Sequence, residues 1–404
     1  MSIRRRDFLK FSTATGGLVC LGGTVPSILG EAAASAAGNG GPVLVVIQMS
    51  GGNDGLNTVS PVRHDTYRKL RPQLALDPQA TIPINDELSL HPALKGFAGL
   101  LEQQKLAIVQ GVGYADPNRS HFESMDIWHT CQRKTQQRSE GWLGRYLSHQ
   151  LAAKHSGASA FHLGAEKQPL ALACRDVAVP TIRELKQFKL QVSNGDVLAS
   201  LRRESATQMQ QPGLLDFVQS AQKSALDVSE QLAAQSGKQT SVSYPDSPLA
   251  EKLSTVAQLI RSGLPASVYY VQHDGFDTHA NQAAAHEGLL RQLGDSVSTF
   301  TKDLESDKLL ERVCVMCFSE FGRRVAENAS EGTDHGTAAP MFLIGNNVQA
   351  GLHGEHPSLD DLDAGDLRFH TDFRRVYAAV LKDWLKVPTT DILGAEYAPV
   401  PLFA

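Results

Sequence analysis

The sequence predicts an α/β chain, a central and mostly parallel mixed sheet flanked by helices, on three observations. Continuous apolar runs recur at residues 43–47, 106–109, 267–271, 313–318 and 341–344. Helical apolar periodicities lie between them, as at 289–304 and 373–385. Clusters of Gly, Asp, Glu and His adjoin the ends of the runs. A run that is apolar at every position reads as a strand buried on both faces, as in a sheet covered by helices on either side. Alternation of strand and helix then sets the class. With 404 residues, 42% hydrophobic and 20% charged, the chain is long enough for a sizeable core.

The first segment reads as an address. Arg4, Arg5 and Arg6 precede Asp7-Phe8-Leu9-Lys10, a Gly/Thr/Leu/Val-rich stretch continues to about Leu29, and small residues follow at Ala32, Ala34 and Ala36. That is the layout of a signal peptide over residues 1–36. Arg5-Arg6-Asp7-Phe8-Leu9-Lys10 resembles a twin-arginine export signal, with the translocase as partner and the periplasm or exterior as destination. Gly16-Gly17 and Gly22-Gly23 would weaken a helix of the folded protein. Cys20 follows Val19, whereas a lipoprotein signal wants a small residue there, so no lipid anchor is expected. Residues 37–41 form a Gly/Asn linker, and 42–404 a single α/β domain.

Within that domain, residues 201–264 change character: Gln, Ser, Ala and Leu dominate, predicting a helical insertion or cap with a Ser/Pro-rich loop at 237–248. The helix at 373–385 opens on Thr371-Asp372, which are capping residues. Cys314 and Cys317, three apart in one strand, face opposite sides, which argues against a redox pair. A Cys131–Cys174 bridge is left open. The 38 basic and 43 acidic residues, net −5, exclude a dominant nucleic-acid surface. No run beyond the signal is long and apolar enough for a stable membrane span.

In open α/β sheets, functional groups collect beyond the carboxyl ends of strands. Four runs lead into such clusters: Gly51-Gly52-Asn53-Asp54-Gly55-Leu56-Asn57, Asp116-Pro117-Asn118-Arg119-Ser120-His121-Phe122, Asp274-Gly275-Phe276-Asp277-Thr278-His279 and Ser319-Glu320-Phe321-Gly322-Arg323-Arg324. A fifth, Gly332-Thr333-Asp334-His335-Gly336, stands ahead of the last run. Converging carboxylates and imidazoles make a divalent-metal site, and carboxylates held close together stay ionised only beside a cation. The plainer reading of any one Asp or His is a turn or helix cap. Ser120 precedes an apolar helical spacing. It is either a nucleophile in the anion-favouring field of a helix N-terminus, with Arg119 gripping the oxyanion, or an ordinary N-cap with His121 and Glu123 solvated behind it.

Together, the twin-arginine start, Gly51–Asn57, Asn118-Arg119-Ser120-His121-Phe122, Gly275-Phe276-Asp277-Thr278-His279, Ser319-Glu320-Phe321-Gly322-Arg323 and Gly332-Thr333-Asp334-His335-Gly336 resemble the bacterial domain-of-unknown-function 1501 family, across essentially the whole mature chain. That resemblance implies the fold of the alkaline phosphatase and sulfatase superfamily, with metals at one sheet edge. It implies metal ligation by Asp54, Asp277, His279, Glu320 and His335, by one or two ions of Zn, Mg, Ca or Mn. It also implies Ser120 as nucleophile, with Arg119 and Arg323 on the oxyanion. The sequence departs from the superfamily at Phe321, where a second ligand is expected, and Ser120 follows its Arg instead of preceding it, which does not support a formylglycine mechanism. The implied function is an exported metal-dependent hydrolase of small anionic phosphate or sulfate esters. The alternative is a non-enzymatic exported binding or envelope-assembly protein on a degenerate phosphatase-like fold.

Overall fold

The computed structural model describes residues 40–153, 159–183 and 242–403. The expected signal peptide, most of the linker and residues 201–241 of the expected insertion lie outside them. All five apolar runs are strands. In chain order the main sheet comprises β1 (Val43–Ser50), β2 (Leu106–Gly113), β3 (Ser159–Leu163), β4 (Thr181–Ile182), β5 (Ala266–Asp274), β6 (Val313–Phe318), β7 (Ala339–Ile344), β8 (Gly351–His353) and β9 (Thr371–Asp372). Their spatial order is β8-β2-β7-β6-β1-β5-β3-β4, with β9 also on β2. Every pairing is parallel except those of β7, which runs antiparallel to β2 and β6. The chain enters β7 from the loop holding His335, which lies at the rim where the parallel strands end, so this strand must run back down.

The strands alternate their side chains between two cores, because successive residues of a strand point to opposite faces. Val43, Val45 and Ile47 join Phe97, Leu253, Leu290 and Phe300 on one face. Leu44 and Val46 join Trp128, Trp142, Tyr146 and Tyr377 on the other. The first face is covered by α1 (Lys95–Glu102), α4 (Pro248–Arg261) and α5 (Gln282–Ser306). The second is covered by α2 (His121–Thr130), α3 (Trp142–Ala152) and α6 (Phe373–Ala379). Each Leu or Phe fully buried in these layers contributes roughly 1.5–3 kcal/mol. Cys317 faces the first core and Cys314 the second, and both are free thiols, as are Cys131 and Cys174.

Helix boundaries follow local chemistry. Ser247 caps α4 by accepting from the Ala250 amide, with Pro248 in the first turn, and Leu249, Leu253, Val256 and Ile260 make its buried stripe. This part of the segment expected as an insertion belongs to the helical layer beside the sheet. Asp372 caps α6 by accepting from the Arg374 amide, and the helix continues as a π-turn over Val380–Trp384. No helix among the described residues is long and apolar enough to cross a membrane.

Candidate metal centre at the carboxyl edge of the sheet

The site begins where β1 ends. Gly51 and Gly52 take φ of 117° and 80°, a turn that L side chains rarely adopt. A Cβ on Gly51 would stand 2.4 Å from the Asp277 amide nitrogen, and one on Gly52 2.4 Å from the Phe321 ring. The turn is therefore pressed against the loops that follow β5 and β6. Arg323, with its side chain fully buried, ties the three together. Its Nε donates to Gly52 O (2.7 Å), Nη1 to Thr333 O (2.8 Å), and Nη2 to Gly51 O, Phe276 O (2.9 Å) and Asp277 Oδ1 (2.8 Å).

Asp277 and His335, 58 positions apart in sequence, meet here with Oδ1 and Nε2 3.1 Å apart. His279 Nε2 lies 3.0 Å from the same carboxylate oxygen and 2.9 Å from His335 Nε2. His121 Nε2 is 3.4 Å from it. The ligand atoms of His121, Asp277 and His335 all fall within 4.8 Å of one another. Phe321 packs its ring under the cluster, 5.0 Å from the His121 ring and 4.7 Å from that of His335.

What makes this arrangement informative is the other nitrogen of each ring. His335 Nδ1 lies 2.7 Å from Arg119 O, and a carbonyl can only accept, so Nδ1 carries the proton. His121 Nδ1 lies 2.9 Å from Glu320 Oε1, and His279 Nδ1 3.3 Å from Asp334 Oδ1. Carboxylates fix those two rings the same way. With its Nδ1–H committed, each ring in the neutral form turns an Nε2 lone pair toward Asp277. Three lone pairs and a carboxylate oxygen in mutual contact repel unless a cation or proton sits among them. His121 Nε2 is moreover buried with no hydrogen-bond partner. Imidazole ligands whose second nitrogen donates to a carboxylate or carbonyl are the usual support of a metal site. The donor set fits a divalent ion.

The electrostatics of the cluster show its demand for positive charge. Burial pushes the Asp277 carboxyl up, but the hydrogen bond and positive charge of the Arg323 guanidinium, with the close contact to His335, prevail and hold it down at about 2. The hydrogen bond to Glu320 raises His121, and desolvation lowers His335.

The remaining sequence candidates fall in different places. Glu320 is buried and accepts from the Gly51 amide (2.9 Å) as well as bonding His121, so it stands behind the cluster as the partner of the His121 ring. Asp54 is outside the cluster. Its Oδ2 receives Arg71 Nη1 at 2.6 Å and the Gln282 amide, both side chains of the Asp54–Arg71 pair are fully buried, and despite desolvation Arg71 keeps the carboxyl low. Gln282 Oε1 in turn accepts from Thr278 (3.1 Å) and Thr333 (2.6 Å), so this network braces the loops that carry Asp277 and His335. Arg119 gives the cluster its carbonyl, while its guanidinium pairs with Asp366. Arg323 is a buried strut with no solvent-facing surface. Ser120 is exposed at the N-cap of α2, and its side chain makes no capping bond.

His121 and Asp334 are the functional side chains that sequence reasoning passed over. Their signal was present: each directly adjoins a candidate, Ser120 or His335, in a motif already singled out.

Residues 42–373 match the family described as Protein of unknown function (DUF1501). The chain belongs to this family. No curated protein matches it. Among solved structures, a protein in the alkaline phosphatase superfamily from Vibrio parahaemolyticus is 10% identical, with 98% of this chain and 78% of that one covered at a TM-score of 0.39. The lipoteichoic acid synthase LtaP from Listeria monocytogenes is 9% identical, with 95% and 81% covered at 0.39. The PsFucS1 sulfatase from Pseudoalteromonas sp. is 11% identical, with 93% and 76% covered at 0.38. The chemistry of this DUF1501 site is read from its own atoms.

Proposed function

We propose that this DUF1501 protein is a metal-dependent hydrolase of phosphate or sulfate esters. The observation that carries the reading is the convergence of three imidazole Nε2 atoms on Asp277 Oδ1, with every Nδ1 tied behind. His121, Asp277, His279 and His335 would hold one divalent ion, and the imidazole-rich donor set suits zinc better than the oxygen-preferring calcium, magnesium or manganese. When bound, the ion supplies positive charge for the oxyanion that develops at phosphorus or sulfur.

The chain's own residues do the rest. Glu320, Asp334 and the Arg119 carbonyl keep the three rings in one tautomer and orientation. Arg323 positions Asp277 and keeps it ionised. Ser120, next to His121 and free of capping duty, is the nucleophile. Its oxygen attacks phosphorus or sulfur as the ester bond breaks, the hydroxyl proton ends on the departing oxygen so that the alcohol leaves, and water then releases the phosphate or sulfate and restores the serine hydroxyl. The N-terminus of α2 favours the anion bound there. The reading includes export of the folded chain by the twin-arginine translocase to the periplasm or exterior, supported by Arg5-Arg6 and by the small residues from Ala32 to Ala36.

The test is direct. The purified full chain should take up close to one equivalent of zinc or cobalt and hydrolyse an aryl phosphate or sulfate in a chelator-sensitive way. A chain that binds no divalent cation at neutral pH overturns it.

A further inference from the structure

We infer that Arg119 and Arg324, yoked by Asp366, form a subsite beside the metal cluster for a second anionic group on the substrate. The inference rests on the hydrolase reading for its substrate, but its own observations are separate. Asp366 has a side chain only 1% exposed, and it takes Arg119 Nη2 on one oxygen and Arg324 Nε, at 3.5 Å, on the other. A buried carboxylate needs one cationic partner to offset its desolvation. Here it has two, so the three groups carry a net positive charge.

Neither arginine is spent. Their side chains are 44% and 36% exposed. Beyond Asp366, the Arg324 guanidinium's hydrogen bonding among the described residues is a 3.4 Å contact with Ala364 O, although each guanidinium offers five N–H donors. Two carboxylates stand near. Asp334, hydrogen-bonded to Asn328 and His279, also feels the Arg324 charge. Asp363, across the hairpin from Asp366, adds to burial in pushing that carboxyl up. Neither makes an ion pair with Arg119 or Arg324 among the described residues. Arg323, the residue before Arg324, is fully buried by contrast.

The placement ties this charge to the site. Arg119 O holds His335 Nδ1, while the Arg324 amide donates to Asp334 O at 3.0 Å and Arg324 O accepts from Arg71 at 2.8 Å. Both backbones are thus fastened on either side of His335, and both guanidinia are held on Asp366 instead of on Asp277. An ester whose reacting group lies at the cluster would present another part of itself to the arginine pair. Two planar guanidinia with free N–H edges match the oxygens of a phosphate, sulfate or carboxylate. The substrate class is therefore an ester carrying a second anionic group.

Sulfate titrated calorimetrically into the chelator-treated full chain at low ionic strength is the probe. Wild type should bind one sulfate. Arg324→Gln and Arg119→Gln should each weaken it by at least about tenfold, with Arg324→Lys losing less. Circular dichroism checks that each variant is folded, and two independent arginines guard against one misfolded protein. Asp277→Asn should keep sulfate binding while losing cobalt. Cobalt uptake with sulfate affinity indifferent to both arginines overturns the subsite, as does absence of sulfate binding in wild type. Arginine-dependent sulfate binding by a chain that takes up no cobalt supports the subsite and overturns the metal reading alone.

Discussion

Asp54 and Asp277 follow adjacent parallel strands, and the protein treats them in opposite ways. Asp54 is sealed from solvent and paired with Arg71, whose guanidinium also donates to Asn57, Val325 O and Arg324 O. Asp277 is half exposed and ringed by the imidazoles of His121, His279 and His335. The difference shows what a carboxylate at a strand end can be for. Where water is excluded, the compensating cation must be built into the chain. Where the carboxylate opens to solvent, as at Asp277, the buried Arg323 guanidinium holds one side and imidazoles gather on the rest, so a further cation can come from outside.

Removing the internal cation should cost most. Arg71→Met leaves Asp54 charged, buried and unpaired, and such a break typically costs about 3–5 kcal/mol. Urea denaturation of the variant should show a loss of that size. A loss under about 1 kcal/mol would mean that Asp54 neutralises cheaply, and the contrast between the two sites would collapse.

Acid should separate the same regions, with opposite signs. His286, beside Asp54, is pushed down to about 4 by burial. The unfolded chain then takes up that proton first, so the stability is intact above about 6.5 and is lost as pH falls toward 4, by roughly 3 kcal/mol if fully realised. His121, raised by Glu320, works the other way: its contribution is present below about 6.5 and fades as pH rises through the raised value. Denaturation midpoints at pH 7 and 4.5 should therefore converge in His286→Gln relative to wild type. Equal pH dependence in the two proteins would remove His286 from the account.

Asp277→Asn should invert the Arg71 result. Folding should fall by less than in Arg71→Met, since Asp277 is half exposed and the Asn side-chain oxygen still accepts from the buried Arg323 guanidinium. Cobalt affinity should fall by more than about a hundredfold, beyond what loss of a supporting residue costs. Glu320→Gln should fall in the range of such a supporting residue, about 10–100-fold, because it loosens the orientation of His121 while leaving the ligand itself in place. If Glu320→Gln costs as much cobalt affinity as Asp277→Asn, Glu320 is itself a ligand.

The fold was legible because unbroken apolar runs announce strands buried on both faces, and each of the five runs is one. The edge strands left weaker traces. Ser159–Leu163 is interrupted by His162 at its fourth position, and Thr181–Ile182, Gly351–His353 and Thr371–Asp372 are too short for any pattern to register. The rim clusters located the site, but not the division of labour within it. Nothing in the sequence says that an arginine 17 residues on will be buried against Asp54. Periodicity likewise does not tell whether the first turn of α2 faces water or the rim, which is why His121 read as solvated.

Ser120→Ala is expected to have the smallest effect on folding, and for that reason it is the most specific probe of the chemistry. Ser120 occupies the N-cap of α2, where a capping hydroxyl is typically worth about 1 kcal/mol. Its side chain makes no such bond; the turn before the helix is instead held by the Ser120 amide donating to Asn118 Oδ1 at 2.8 Å, and Asn118 is anchored through its own amide on Tyr114 Oη at 3.0 Å. Removing the hydroxyl should therefore change the urea midpoint by less than about 0.5 kcal/mol and leave cobalt binding intact. Turnover of an aryl phosphate or sulfate should nevertheless fall by orders of magnitude if this oxygen attacks the ester. A folding loss near 1 kcal/mol with unchanged turnover would make Ser120 a helix cap after all, and would pass the attack to water at the same cluster. Unchanged folding with lost turnover would separate the nucleophile from the scaffold, in the same way that Asp277 is separated from Asp54.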